Sequence, residues 1–168
     1  MRKVTWAVTW AVVVAAMLAA GAPLQAQVRF GVGAAWGSDS HAGISGRMLV
    51  PLQSDIGGRP LTGQLAADWY VDSCDVVECS ALDITPAAHV AFAGDRFQPY
   101  AGAGLNIVHI WRDGGQFEVD ESDLDLGIAL LGGLTFPLGG LTGQTEGRFA
   151  IGANEQLILS FSLLFGPR

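Results

Sequence analysis

Lysine is almost missing from this chain. Lys3 is the only one, and nine basic residues in all stand against sixteen acidic ones. An acidic, lysine-poor protein has no electrostatic footprint for nucleic acid, so no nucleic-acid partner is expected. Cysteine is equally scarce: Cys74 and Cys79, both in "SCDVVECS", are the only two. Two cysteines without a neighbouring histidine make a poor zinc site, and no metal or cofactor is expected. Helical periodicity is absent as well, since no stretch past Gln27 sustains an apolar repeat of 3.6 residues. Long apolar runs are confined to one place, the start of the chain.

That start reads as an export signal. Arg2 and Lys3 precede "VTWAVTWAVVVAAMLAAGA", and "PLQAQ" follows. A basic segment, an apolar segment and small residues before a cut are the marks of a secretory signal peptide. The expected division is a signal peptide over 1–26, cut after Ala26, and one domain over 27–168. The alternative is an uncleaved anchor, because the run is about long enough to span a bilayer. Cleavage removes two of the nine basic residues, leaving seven against sixteen acids and a net charge of −9. In an exported chain the close pair Cys74 and Cys79 is the expected disulfide, stapling a loop.

What is abundant is glycine, 23 residues in all, with turn signals between alternating runs. Eight such runs can be drawn, at 27–36, 43–52, 60–71, 81–92, 98–111, 123–136, 141–152 and 156–165. The last, "QLILSFSLLF", sets Leu157, Leu159, Phe161, Leu163 and Phe165 on every second position. Sorting each run by parity gives one face of large apolar residues and another that is polar and small. The polar face holds Arg29, Arg47, Asp68, Asp83, His89, Asp125, Glu146 and Arg148, with Ser160, Ser162 and many glycines between.

Two closed architectures alternate in this way. A lipocalin-like soluble barrel turns its apolar face inward around a lipophilic ligand; a membrane barrel turns it outward to lipid. Three features favour the membrane. With a periplasmic N-terminus, Trp36, Trp69 and Trp111 fall at the upper ends of ascending strands. Phe30, Phe92, Tyr100, Phe136 and Phe165 gather towards the lower ends, giving two aromatic girdles. The lower connections, "QSDIGGR", "GDR" and "PLGG", are mostly short, and two upper ones, "DSCDVVECSA" and "DGGQFEVDES", are long and acidic. Finally, arginines and carboxylates suit the inside of a narrow barrel, where they pair across the lumen. The fold class expected is therefore all-β: an eight-stranded antiparallel up-and-down transmembrane β-barrel.

The signal peptide, the fifth run "QPYAGAGLNIVHIW" and the terminal "LILSFSLLF" resemble small outer-membrane β-barrel proteins of the OmpA/OmpX and opacity-antigen type. The resemblance spans the whole mature chain and is one of architecture. It implies residence in the outer membrane among lipid and lipopolysaccharide. It also implies a terminal strand read by the assembly machinery, although Gly166, Pro167 and Arg168 here follow the usual last aromatic.

No catalytic residue carries over. Some barrels of this size modify lipid A, and among His41, His89 and His109 only His109 is expected to face outward at the upper rim. It has no serine two residues away, so the His-x-Ser motif of such deacylases is missing. Eight strands leave an interior filled by side chains, which argues against a wide pore. The acidic stretch "DGGQFEVDESDLD" lacks the ligand order of an EF-hand, though divalent bridging to lipopolysaccharide remains open. The expectation is a monomeric, non-enzymatic barrel serving envelope structure or surface interaction, with a soluble lipid-binding barrel or a lipid A-modifying enzyme as alternatives.

Overall fold

The computed structural model describes residues 28–38, 41–71, 79–112, 121–152 and 155–167. Eight strands follow in chain order: β1 (Arg29–Gly37), β2 (His41–Ile56), β3 (Arg59–Val71), β4 (Cys79–Ala91), β5 (Gln98–Arg112), β6 (Glu121–Leu138), β7 (Leu141–Gly152) and β8 (Gln156–Phe165). Each pairs antiparallel with its neighbours in sequence, and β8 returns to β1. The closing ladder runs from Phe30 opposite Phe165 to Gly37 opposite Ile158. Closure leaves no strand edge with unpaired backbone groups, the condition a sheet must meet in lipid. The expected signal peptide and the connections 72–78 and 113–120 lie outside the described residues.

Parity translates directly into inside and outside. On β6 the outward Leu126 is 65 % exposed, whereas Asp68 and Asp83 on the inner faces of β3 and β4 are 0 % exposed. Large apolar side chains stand exposed on the outside of every strand but β4, among them Val32, Ile44, Leu105, Leu130 and Phe161, and the outward Leu82, Ile84 and Val90 of β4 are half-buried. A soluble barrel could not carry so continuous an apolar exterior. The sense is the reverse of a lipocalin-like barrel and is that of a transmembrane one.

Two lower connections are tighter than the sequence suggests. Residues 53–59 read as a loop, but β2 continues to Ile56 and β3 begins at Arg59. Gly57 and Gly58 alone make the turn, with φ of 62° and 74°. A two-residue hairpin turn of this hand needs positive φ at both positions, which glycine adopts without a Cβ penalty. The extra strand length is absorbed by a bulge: Pro51 faces Thr62, yet Asp55 already faces Pro60. Gly139 and Gly140 similarly close β6 onto β7.

Pro86 sits mid-strand in β4, facing outward opposite Leu65 of β3. It has no N–H to give, and the β4–β5 pairing skips from Ile84–Ile107 to Ala87–Gly104 around it.

Candidate functional site

The chemistry of this molecule is concentrated inside the barrel. Asp68 of β3 and Asp83 of β4 are direct cross-strand partners, both fully buried. Like charges so placed repel each other. Arg148 of β7 reaches across the lumen and resolves the conflict. Its guanidinium pairs with Asp68, and its Nη1 lies 3.3 Å from Asp83 Oδ1. The same nitrogen donates to Thr85 Oγ1, and Nε lies 3.4 Å from Glu146 Oε1 on its own strand.

Arg47 of β2 supplies the second cation. Its Nη1 is 3.4 Å from Glu146 Oε1, its Nη2 3.6 Å from Asp68 Oδ1, and Nη2 donates to Ser160 Oγ at 2.7 Å. Neutral donors complete the set. Asn106 Nδ2 and Thr85 Oγ1 donate to Asp83 at 2.7 and 2.9 Å. Gln64 Nε2 and the Tyr100 hydroxyl donate to Glu146 Oε2 at 2.7 and 2.9 Å. Five charged side chains from β2, β3, β4 and β7 are thus joined in one network, each ion having at least two partners. In a low-dielectric interior such pairing is what makes buried charge tolerable.

Directly above, the lumen changes character. Ala35, Tyr70, Ala81 and Ile158 form a buried apolar cluster against which Ile110 packs. Tyr70 lies over Gly43, where an added Cβ would come within 2.8 Å of its ring. Tyr100 stands in the same relation to Gly133, at 2.5 Å from its hydroxyl. In both cases glycine on the neighbouring strand leaves the space that the ring occupies. Leu49, Leu131 and Leu164 also face inward, 1–5 % exposed. The inner face is therefore layered, and not polar throughout as its parity list suggests.

Arg47, Asp68, Asp83, Glu146 and Arg148 are brought together. Arg29 and Asp125 are half-buried at opposite ends and, among the described residues, join no ion pair. His89 is buried, its ring tilted against Tyr100 at 4.6 Å. Trp36, Trp69 and Trp111 are exposed at one end, and Trp69 and Trp111 stack at 6.1 Å. Phe30, Phe92 and Phe165 are exposed at the other, and Phe136 lies 5.9 Å from Phe97.

Tyr100 is the correction: it belongs to no girdle but to the lumen, at 4 % exposure. Its parity with Gly102 and Asn106 carried that information; its position near a strand end obscured it. Phe97, which joins the lower aromatics, was hidden in the connection before β5. Cys79 opens β4 and is buried, while its expected partner Cys74 lies outside the described residues. The candidate divalent stretch 113–125 falls at 113–120, also outside them, in 121–123, whose side chains are not described, and at Leu124 and half-buried Asp125.

No protein-family model and no curated protein sequence matches the chain. Solved structures do. The Neisserial surface protein A (NspA) aligns with a TM-score of 0.56 at 17% identity, over 82% of this chain and 92% of that one. Ail, the attachment invasion locus protein of Yersinia pestis, gives 0.57 at 12% identity, over 82% and 97%. The N-terminal β-barrel domain of Pseudomonas aeruginosa OprF gives 0.52 at 16% identity, over 84% and 98%. The fold is that of the small eight-stranded outer-membrane β-barrels. Ail has also been solved in complex with the heparin analogue sucrose octasulfate.

Within that fold the geometry permits little passage. Arg148, Tyr70, Leu49, Ile158, Gln144 and Val108 are among the largest fully buried side chains, and all face the lumen. The interior is packed with side chains, as in other barrels of eight strands.

Proposed function

We propose that this chain is a non-enzymatic integral outer-membrane protein whose sealed barrel is a rigid scaffold for surface connections, in an envelope-structural or surface-interaction role. The observation that carries this reading is the buried network of Arg47 and Arg148 with Asp68, Asp83 and Glu146, which fills the lumen where a conduit would run. The signal peptide 1–26 directs export, β8 is the strand read by the assembly machinery, and both barrel termini lie on the periplasmic side. Cys74 and Cys79 form a disulfide at the β3–β4 connection. The barrel is a monomer in lipid and lipopolysaccharide.

Two features bear on the alternatives. His109 faces outward with Leu82 and Leu124 as cross-strand neighbours, and it packs edge-on against Trp111 at 4.2 Å. Its direct ladder partners are both leucines, while Ser80 and Ser122 pair with Trp111 one outward step above, and the packing of the ring against Trp111 supports an interfacial role. A mature charge of −9 disfavours a sulfated polyanion of the kind seen with Ail.

Fractionation with heat-dependent gel migration tests the reading. The protein should require detergent for extraction, migrate anomalously unless boiled, give no steady porin-like conductance in planar bilayers, and leave the host's lipid A unchanged. Release in the soluble fraction, a sustained open channel or altered lipid A would each overturn it.

A further inference from the structure

The lower rim of the barrel differs from the rest of the surface in charge. The upper connections 72–78 and 113–120 are dominated by acids, with no basic residue in either. At the lower end exposed Arg59 opens β3 and exposed Arg96 lies in the next lower connection. Asp55 and Asp95 are exposed in the same segments, Asp55 on the face opposite to Arg59, and Arg59 is held over an aromatic ring. The Arg59 guanidinium carbon lies 5.1 Å from the centre of the Phe92 ring. The β3–β4 ladder explains why: Leu61 faces Val90, so continuing two residues down each strand, to the next outward position, places Arg59 beside Phe92 on the lipid side. Ile56, 60 % exposed, is the ladder partner of Arg59 across the Gly57–Gly58 turn. The hairpin tip therefore presents a cation flanked by an aliphatic and an aromatic side chain, all facing outward.

That combination fits one kind of surface. An apolar flank immerses in acyl chains, and a guanidinium anchored on a ring edge of the membrane meets headgroup phosphates bidentately. Arg96, exposed in the connection 92–97 that also carries Phe92, Asp95 and Phe97, adds a second cation at the same end of the barrel. We infer that the lower rim around Arg59, Phe92 and Arg96 binds the headgroup of an anionic glycerophospholipid, seating the barrel in the phospholipid leaflet. The inference rests on the membrane-barrel reading above. The occupant is a lipid and not a soluble anion, because Ile56 and Phe92 have no role towards a free phosphate.

The test uses the whole barrel, reconstituted in bilayer nanodiscs of equal phosphatidylglycerol and phosphatidylcholine, then released in mild detergent for native mass spectrometry. Two arginines at a membrane surface give about a tenfold or greater preference for the anionic lipid among retained adducts. Arg59→Gln with Arg96→Gln should bring retention of the two lipids close to parity. Arg112→Gln, at the opposite end, should leave the preference intact. Phe92→Leu should lower it partially by freeing the guanidinium. Excess inorganic phosphate should not displace the adducts.

Equal retention by the unaltered protein overturns the inference, as does a preference that survives the double substitution or one abolished by phosphate. If the double variant does not fold, each single arginine variant carries the same test with a smaller expected loss. Heat-dependent migration is read on every sample. Its loss in the unaltered protein would fell the membrane-barrel reading itself, whereas normal migration with equal adducts fells only the lipid site.

Discussion

Around Asp68 and Asp83 the lumen gathers five charged side chains among neutral polar ones, and each carboxylate is met by a guanidinium or an amide donor. The next inward positions up those same two strands are Tyr70 and Ala81, which pair with each other and pack with Ala35 and Ile158. Two solutions to the same packing problem thus lie one inward step apart. The lower layer must keep every partner, because removing one leaves an uncompensated buried charge. The upper layer needs only volume. Burial is equal in the two, so the difference in tolerance comes from what each side chain leaves behind when it is lost.

Breaking the charged layer should have the largest effect. Arg148→Met strips the cation from between Asp68 and Asp83, and a loss of about 3–5 kcal/mol is expected, read as a lowered urea midpoint for refolded barrel in detergent or vesicles. The outer face supplies the next test. Leu130→Arg places a charge in lipid, with an expected cost of ~2–4 kcal/mol if the site is near the midplane, falling towards zero if it lies near the interface. The same denaturation series, run on Leu130→Arg and on an arginine at outward Ile44 near the upper rim, locates the membrane on the barrel.

Smaller changes sharpen the comparison. Tyr100→Phe removes the hydroxyl that donates to Glu146 and accepts from Gln144, for an expected ~1–3 kcal/mol. Ile158→Val in the apolar layer should cost only about 0.5–1.5 kcal/mol. If Ile158→Val proved costlier than Tyr100→Phe, the contrast between the layers would be wrong. Smallest of all, Gly57→Ala at a positive φ should cost about 1 kcal/mol and leave the inserted barrel's heat-dependent migration unchanged.

Much of this architecture could be read along the chain. Strand ends agree to within a few residues, because alternation and glycine punctuation are local signals. The β2–β3 hairpin was the exception: Gln53, Ser54 and Asp55 are polar residues that look like loop, but a bulge and a two-glycine turn let the ladder run past them. The filling of the lumen by Tyr70, Leu49, Ile158 and Leu164 was also hidden. Single apolar residues on a polar face look like noise until the opposite wall is known.

The sequence alone determined the number of strands, the inside and outside of each, and the polar inventory available to the interior. Those follow from a period of two, which any strand carries in its own residues. Only the tertiary structure decided that Arg148 meets Asp68, 80 residues away, and that the inward Tyr100 hydroxyl reaches Glu146. Which inward side chains share a level depends on how eight tilted strands are staggered when β8 closes onto β1. That stagger belongs to the closed barrel and to no single strand of it.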